Sequence, residues 1–226
     1  MRKKLGILGG MGPLATCRFY MDIVSSTPAA KDQDHIDMVI LNACHIPDRT
    51  AAILHGGPSP LPQLIEGCES LEAQGCDLIA IPCNTSHYYF DELKTGRKAE
   101  LLNMIELTAE RLEALGMKKV YLMATEGTLK TGVYQKYLGK KNIGIIPPTA
   151  DETAEMMRVI YGVKAGAEPN LEVLAGAARE KGCPVVLGCT ELSTLNFGGL
   201  ETIDAMGVLK DKILELFGFG AGGIKQ

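Results

Sequence analysis

The chain has 226 residues, of which 46% are hydrophobic and 22% are charged, and its formal net charge is −4. These values are ordinary for a globular protein that buries a core in one large domain or two smaller ones. No stretch is dense in Lys or Arg, which argues against nucleic acid or an anionic membrane as the main partner. No segment approaches the ~20 apolar residues of a membrane span, and we expect a cytoplasmic protein that binds a small molecule.

Apolar runs alternate with helical patterns from one end of the chain to the other. In the first half, the pattern predicts strands at residues 5–8, 38–41 and 78–81, and helices at residues 13–24 and 61–74. In the second half, it predicts strands at residues 120–123, 144–146 and 184–187, and helices at residues 99–114, 151–163, 171–180 and 203–217. A glycine-rich tail at residues 218–223 is expected to be mobile.

This alternation predicts the α/β fold class, because apolar strands separated by helices are typical of parallel sheets covered on both faces. The plan occurs twice, so we expect two similar α/β domains. The first comprises residues 1–98 together with a C-terminal helix that returns to it in residues 206–226, and the second comprises residues 99–205. Ligands of such sheets bind beyond the carboxyl ends of the strands.

Two cysteines occupy matched positions in the two halves. Cys83 follows a predicted strand through Pro82, Cys189 follows another through Gly188, and polar residues that we expect to begin a helix come next. If the halves face each other about a pseudo-twofold axis, the two thiols approach one cleft from opposite sides. Inversion of a carbon centre requires this geometry, because a base removes a proton from one face and an acid returns one to the other.

The predicted helix starts bear on the chemistry of these thiols. Free N–H groups at a helix N-terminus stabilise a thiolate and lower its pKa. The side chains of Asn84, Thr85 and Thr190, beside the same backbone amides, can form a nest for a carboxylate. The alternative is that both cysteines are packed in the core, as single cysteines after buried strands commonly are.

The remaining cysteines and the glycine-rich opening are interpreted as structural. Seven cysteines without a CxxC pair fit neither a disulfide framework nor a zinc ribbon. We expect most of the thiols to be buried and assign structural roles to Cys17, Cys44, Cys68, Cys76 and Cys183. A metal site at Cys44 and His45 lacks a second ligand pair, so no metal is expected. Residues 6–12 do not spell GxGxxG and no GKS or GKT follows, so we expect a tight turn close to a small substrate rather than a nucleotide site.

Five segments in this order make the sequence similar to the aspartate/glutamate racemase family, and to its aspartate racemase branch in particular. They are residues 9–13 (GGMGP), 46–50 (IPDRT), 82–85 (PCNT), 160–166 (IYGVKAG) and 188–191 (GCTE). The resemblance covers essentially the whole chain. It implies two flavodoxin-like domains, an active site in the cleft between them, a homodimer, and no pyridoxal phosphate or metal.

The resemblance also implies residue roles. Cys83 and Cys189 would exchange protons with the substrate α-carbon, and Arg49 and Lys164 would hold the side-chain carboxylate. The other residues implied are Asn84, Thr85 and Thr190 for the α-carboxylate, and Met11, Thr50 and Thr125 as further residues of the substrate site. By themselves, Arg49 could instead form a surface ion pair with Asp48, and Lys164 could be a solvated helix end.

The function predicted is interconversion of L- and D-aspartate without a cofactor. Three alternatives stay open: a glutamate or broad-specificity racemase, a maleate-type isomerase of the same fold, and a non-enzymatic protein that binds a dicarboxylate. Two residues have open roles. His87 is either packed or solvated, or it tunes the Cys83 thiol, and Glu191 either orients the site or raises the pKa of Cys189.

Overall fold

A computed structural model describes residues 2–220 as two parallel four-stranded sheets connected by helices, which confirms the α/β fold class. The strands are β1 (Lys4–Gly9), β2 (Asp37–Asn42), β3 (Leu78–Ala80), β4 (Glu100–Leu101), β5 (Lys119–Ala124), β6 (Gly144–Ile146), β7 (Val185–Gly188) and β8 (Thr202–Asp204). The helices are α1 (Pro13–Ser26), α2 (Arg49–His55), α3 (Leu61–Ala73), α4 (Phe90–Lys94), α5 (Met104–Ala114), α6 (Glu126–Thr131), α7 (Val133–Lys140), α8 (Ala150–Lys164), α9 (Glu172–Lys181) and α10 (Ala205–Leu216). Short 3-10 helices lie at Asp32–Asp34, Thr85–Tyr89 and Leu192–Thr194.

The two sheets have the same strand order. The first runs β2-β1-β3-β4 and the second runs β6-β5-β7-β8, with every neighbouring pair parallel. Each strand of the first half therefore has a counterpart in the second. Because parallel strands end at the same edge of a sheet, the segments that follow β1, β2 and β3 lie together, as do those that follow β5, β6 and β7.

The cores lie on both faces of the central strands. Leu5 and Ile7 of β1 pack with Phe19 of α1 on one face, and Leu8 packs with Leu64 of α3 on the other. These residues are fully buried, as expected for a strand covered on both sides. Within residues 2–220, no helix is long and apolar enough to cross a bilayer.

Helix α10 packs against the first sheet. Its residues Leu209 and Ile213 share a core with Leu5 and Phe19, which supports the proposal that this helix belongs to the first domain. Strand β4 pairs with β3, and we therefore propose that the first domain extends past residue 98, to Leu101. Residues 1 and 221–226, which the domain assignment includes, lie outside the described residues, and so do residues 221–223 of the predicted mobile tail.

Two predicted helices begin later than their sequences suggest. The prediction of helix at residues 99–103 is wrong, because this segment forms β4 and the Asn103 side chain then caps α5 by accepting from Ile105 N and Glu106 N. The prediction at residues 203–204 is wrong because they belong to β8, and Asp204 caps α10. In both cases the polar residue at the N-cap satisfies amides that the helix itself leaves free.

Candidate active site

One cavity at the carboxyl ends of the strands is lined by residues of both halves. All ten residues predicted for the site line it: Met11, Arg49, Thr50, Cys83, Asn84, Thr85, Thr125, Lys164, Cys189 and Thr190. Four further residues line the same cavity: Asp48, Ile160, Tyr161 and Glu191. The structure thus brings the ten residues together, while their individual roles stay predictions.

Counterpart strands deliver counterpart residues to this cavity. Met11 and Thr125 follow β1 and β5, and Cys83 and Cys189 follow β3 and β7. The two cations are placed differently, since Arg49 is the first residue of α2, after β2, and Lys164 is the last residue of α8, after β6. Each half therefore contributes one thiol and one cation. The repeat in the sequence corresponds to a repeat in the architecture of the site.

The polar segments after the cysteines form shorter helices than we predicted. Thr85–Tyr89 is a 3-10 helix of five residues and Leu192–Thr194 one of three, so neither thiol has a regular α-helix N-terminus directly beside it. The expected lowering of the thiol pKa is wrong for Cys189. Burial, and next the Glu191 carboxylate, raise the pKa of Cys189 well above its usual value, although Lys164 opposes this shift.

Cys189, Glu191 and Lys164 form a connected group. The Cys189 thiol donates to Glu191 Oε2 over 3.0 Å, and Lys164 Nζ lies 3.8 Å from Glu191 Oε1. Burial alone would lower the pKa of Lys164, but charge interactions, of which that with the Glu191 carboxylate is the largest, outweigh burial and raise it. Lys164 is therefore a cation held near both thiols and beside a base for the Cys189 proton.

Replacing Glu191 by Gln is expected to lower the pKa of Cys189. The neutral amide removes a negative charge that disfavours the thiolate, whereas the nearby ammonium group of Lys164 remains. The rate of Cys189 alkylation, followed by mass spectrometry of its peptide, should therefore rise at a lower pH than in the wild type. The midpoint is the pH at which the alkylation rate of Cys189 is half of its maximum. A midpoint that is unchanged or that moves to higher pH would contradict the role assigned to the carboxylate. The alkylation of Cys76 in the same samples is the internal control.

His87 fixes the backbone of the Cys83 loop. Met104 N–H donates to His87 Nε2 over 3.1 Å, so the ring proton is on Nδ1, which donates to the Cys83 carbonyl oxygen over 2.9 Å. Burial lowers the pKa of His87 and keeps the ring neutral. His87 does not line the cavity, and among its open roles the structure favours a packed histidine that joins the Cys83 loop to the start of α5.

Arg49 is a buried cation held by backbone carbonyls. Its side chain donates through Nη1 to the oxygens of Ile46 and Pro47 and through Nη2 to that of Met11, over 3.1, 2.9 and 3.4 Å. Asp48 does not form the alternative surface ion pair but caps α2 by accepting from Ala51 N. Because Arg49 is only 7% exposed, its charge is directed at the cavity from a rigid position.

Three threonine hydroxyls join the two halves. Thr85 Oγ1 lies 2.9 Å from Thr125 Oγ1 and 3.0 Å from Thr128 Oγ1, and the last two are 3.0 Å apart. The absence of a side chain at Gly127 lets the halves approach each other here, because a Cβ at this position would lie 2.8 Å from Thr50 Oγ1 and 3.2 Å from Thr85 Cγ2. Two of the residues predicted to bind substrate are thus fixed by a hydrogen-bond network that also connects the domains.

The glycine-rich turn after β1 is tight, as predicted. Gly10 has a φ of +88°, and a Cβ there would lie 2.6 Å from the Ala43 backbone. A Cβ at Gly12 would lie 2.9 Å from Glu191 Oε1. The turn therefore approaches the carboxylate beside Cys189 so closely that a side chain at residue 12 would displace it.

Helical spacing could have identified two of the residues that the sequence reasoning missed. Ile160 and Tyr161 precede Lys164 by four and three positions, so the three lie on one face of α8. Tyr161 Oη donates to Asp48 Oδ2 over 3.5 Å, across the mouth of the cavity. Asp48 itself, adjacent to Arg49, gave no separate signal.

Of the five cysteines outside the site, two are in the core, two are at the surface and Cys183 is half-buried. Cys68 and Cys76 are buried, and burial raises the pKa of Cys68 to about 11. Cys17 and Cys44 are exposed. With Cys83 and Cys189 of the site, four of the seven thiols are buried, which agrees with the expectation for most of them. Across residues 2–220 there is no group of three or more His, Cys, Asp or Glu side chains placed to hold a metal ion.

The cavity has a volume of about 20 Å³, which holds roughly one water molecule. An amino acid is larger than this. Side chains that line the cavity would therefore have to shift to admit a ligand of that size.

Comparison with known proteins identifies the family. The model of the Asp/Glu/hydantoin racemase family matches residues 8–204. The chain belongs to this family. Racemases are isomerases, and the match includes both cysteines, both cations and the glycine-rich turn.

Individual relatives agree with this assignment. The chain is similar to Picrophilus torridus aspartate racemase, with 33% identity, a TM-score of 0.82, and coverage of 96% of this chain and 94% of that one. It is also similar to an aspartate racemase homologue from Pyrococcus horikoshii, with 26% identity, a TM-score of 0.75, and coverage of 96% and 99%. The broad-specificity amino-acid racemase RacX of Bacillus subtilis is 33% identical over 141 residues, which span 59% of this chain and only 60% of that protein.

Proposed function

We propose that this protein interconverts L- and D-aspartate by direct proton transfer between the substrate and two cysteines, without pyridoxal phosphate or a metal. The observation that carries the proposal is that Cys83 and Cys189 follow counterpart strands of two like sheets and line one cavity with two cations. The similarity to an aspartate racemase over nearly the full length of both chains supports the same substrate.

In the proposed reaction, one thiolate removes the α-proton and the opposite thiol donates a proton to the other face of the carbon. The thiolate becomes a thiol and the thiol a thiolate, so the enzyme then has the protonation state needed for the reverse direction. Glu191 would accept the Cys189 proton when that thiol must act as the base, because its carboxylate already accepts a hydrogen bond from the sulfur.

Two carboxylates on the substrate match the cations and donors of the cavity. Arg49 and Lys164 would hold the side-chain carboxylate, and the donors of Asn84, Thr85 and Thr190 would hold the α-carboxylate. Negative charge develops on the α-carboxylate as the proton leaves, so these donors would stabilise the transition state more than the ground state.

Incubation in deuterated water tests the proposal. Purified protein without added cofactor should convert either enantiomer of aspartate to the racemate, with deuterium at the α-carbon of the inverted product. Chiral chromatography coupled to mass spectrometry measures both quantities. Tight binding of aspartate without exchange of the α-proton would contradict racemisation and favour the dicarboxylate-binding alternative.

A broader substrate range is the second candidate, and the similarity to RacX favours it. Glutamate and maleate should be assayed beside aspartate and a panel of other amino acids. Preferred turnover of glutamate would indicate that the cavity opens far enough to accept one more methylene. Isomerisation of maleate would instead favour the isomerase alternative.

We also propose that the protein is a cytoplasmic homodimer. The two-thiol mechanism requires Cys83 and Cys189 to stay reduced, which a reducing compartment ensures. Size-exclusion chromatography with light scattering tests the oligomeric state, and a monomeric mass at assay concentrations would reject the dimer.

A further inference from the structure

We propose that Tyr134 is a positioning residue that orients the Asn84 amide toward a carboxylate of the substrate. Tyr134 lies on α7 and does not line the cavity, whereas Asn84 does. The inference rests on the proposed function for the identity of the substrate. It concerns a residue that neither the sequence motifs nor the cavity itself points to.

The Asn84 amide has one satisfied end and one free end. Its Oδ1 accepts from the Tyr134 hydroxyl over 2.7 Å, while its Nδ2 is buried without a hydrogen-bond partner. A buried donor without a partner typically costs about 1–3 kcal/mol. Asn84 is only 3% exposed and faces a cavity with two cations, so an anionic ligand is the partner that would satisfy Nδ2.

The Tyr134 hydroxyl holds Oδ1 of the Asn84 amide and leaves Nδ2 as the free end. The residue is fully buried, and burial raises the pKa of its hydroxyl, which therefore remains protonated and donates. A carboxylate only accepts hydrogen bonds, so Asn84 must present Nδ2 and not Oδ1 to bind it. Rotating the amide by half a turn would place Oδ1 opposite the carboxylate, so that two acceptors face each other, and the Tyr134 hydroxyl would have to accept from Nδ2 instead of donating to Oδ1.

This contact also crosses between the halves. Asn84 follows β3 of the first sheet, and α7 packs on the second sheet, where Tyr134 shares a core with Leu122 and Val186. The second half thus holds a binding group of the first half in place. A single hydroxyl makes this contact, so it can be removed without substituting any residue that lines the cavity.

The variant Tyr134→Phe tests the proposal, with Tyr137→Phe as the matched control. Tyr137 lies one turn further along α7, and its hydroxyl accepts from Asn103 Nδ2 over 2.7 Å without lining the cavity. Each variant loses one buried or nearly buried hydroxyl from the same helix. A purely structural role predicts similar effects of the two substitutions on thermal stability and no effect on KM.

We expect Tyr134→Phe to raise KM for aspartate, and Kd for the unreactive dicarboxylate succinate, by roughly tenfold. Tyr137→Phe should leave both within error of the wild type. In an Asn84→Ala background, adding Tyr134→Phe should cause no further increase, because the amide that Tyr134 orients is gone. An unchanged KM and Kd in Tyr134→Phe, or equal increases in the two tyrosine variants, would overturn the proposal.

An NMR titration and the succinate Kd values test the role of Tyr134 even if one variant does not fold or the protein does not racemise aspartate. If Tyr134→Phe does not fold, NMR of wild-type protein labelled with ¹⁵N-asparagine replaces it: the side-chain amide signals that Asn84→Ala removes must shift when succinate saturates the protein. The inference would be rejected if the chemical shifts of the Asn84 side-chain amide did not change, or if succinate did not bind at all. If the wild type binds succinate but does not racemise aspartate, the proposed function fails, while the succinate Kd values of the two tyrosine variants still decide the role of Tyr134.

Discussion

Replacing either Cys83 or Cys189 by serine is expected to lower the rate of aspartate racemisation about 100-fold or more. A hydroxyl of similar size fits both buried positions, but its much higher pKa makes it a poor base at neutral pH. Each variant should keep one thiol, which can remove a proton and return it to the same face. We therefore expect each to exchange the α-proton of one enantiomer without inversion, and the two variants to act on opposite enantiomers.

Deuterium incorporation into separated D- and L-aspartate measures this complementarity. Cys17→Ser is the control, because Cys17 is exposed on α1 and does not line the cavity, and it should racemise aspartate at the wild-type rate. Racemisation at the wild-type rate in Cys83→Ser or Cys189→Ser would reject the two-base mechanism. Exchange of the same enantiomer by both variants would show that the thiols do not face opposite sides of the carbon.

Replacing Lys164 by Met is expected to lower the rate by on the order of 100-fold, because one cation acts on several groups of the site. It lies 3.8 Å from the buried Glu191 carboxylate, and its charge lowers the pKa of Cys189. Without this charge, the thiolate form of Cys189 is less stable. The side-chain carboxylate of the proposed substrate also loses the cation that would bind it. The alkylation midpoint of Cys189 should move to higher pH, opposite to the shift expected for Glu191→Gln.

The variant Lys164→Arg distinguishes the effect of the positive charge from the effect of the size and shape of the side chain. It keeps the cation, so the alkylation midpoint should remain close to that of the wild type even if the altered shape raises KM. Wild-type kcat and KM in Lys164→Met would contradict the role of this residue. A midpoint that moves equally in Met and Arg variants would indicate a change of packing rather than of charge.

The strands before the two cysteines could be predicted because each is a short, uninterrupted apolar run bounded by polar or glycine-rich segments. The similar halves followed from the repetition of this pattern. The short strands β4 and β8 could not be predicted, since two or three residues carry no periodicity. The predicted helices that follow them include all of β4 and most of β8, but these segments pair with β3 and β7 and are strands.

The glutamate beside Cys189 shows a limit of a different kind. Adjacency in sequence told us that Glu191 and Cys189 are neighbours, but not whether the carboxylate faces the sulfur. Packing around the site decides this. Burial and the Glu191 carboxylate then raise the pKa of Cys189 although Lys164 opposes them, which is the opposite of the shift that a helix N-terminus would have produced. The side chains of Tyr134 and Asn84 meet only because two domains pack together.

The sequence alone thus determined the fold class and the two strand–cysteine junctions, because these depend on local patterns of apolar and polar residues. Site residues such as Arg49 and Lys164 were implied by the resemblance to the family and not by such patterns. Only the tertiary structure decided which groups act on which. Hydrogen bonds such as those of Cys189 with Glu191 and of Tyr134 with Asn84 depend on side-chain directions and burial, which are set by packing between the two sheets and their helices.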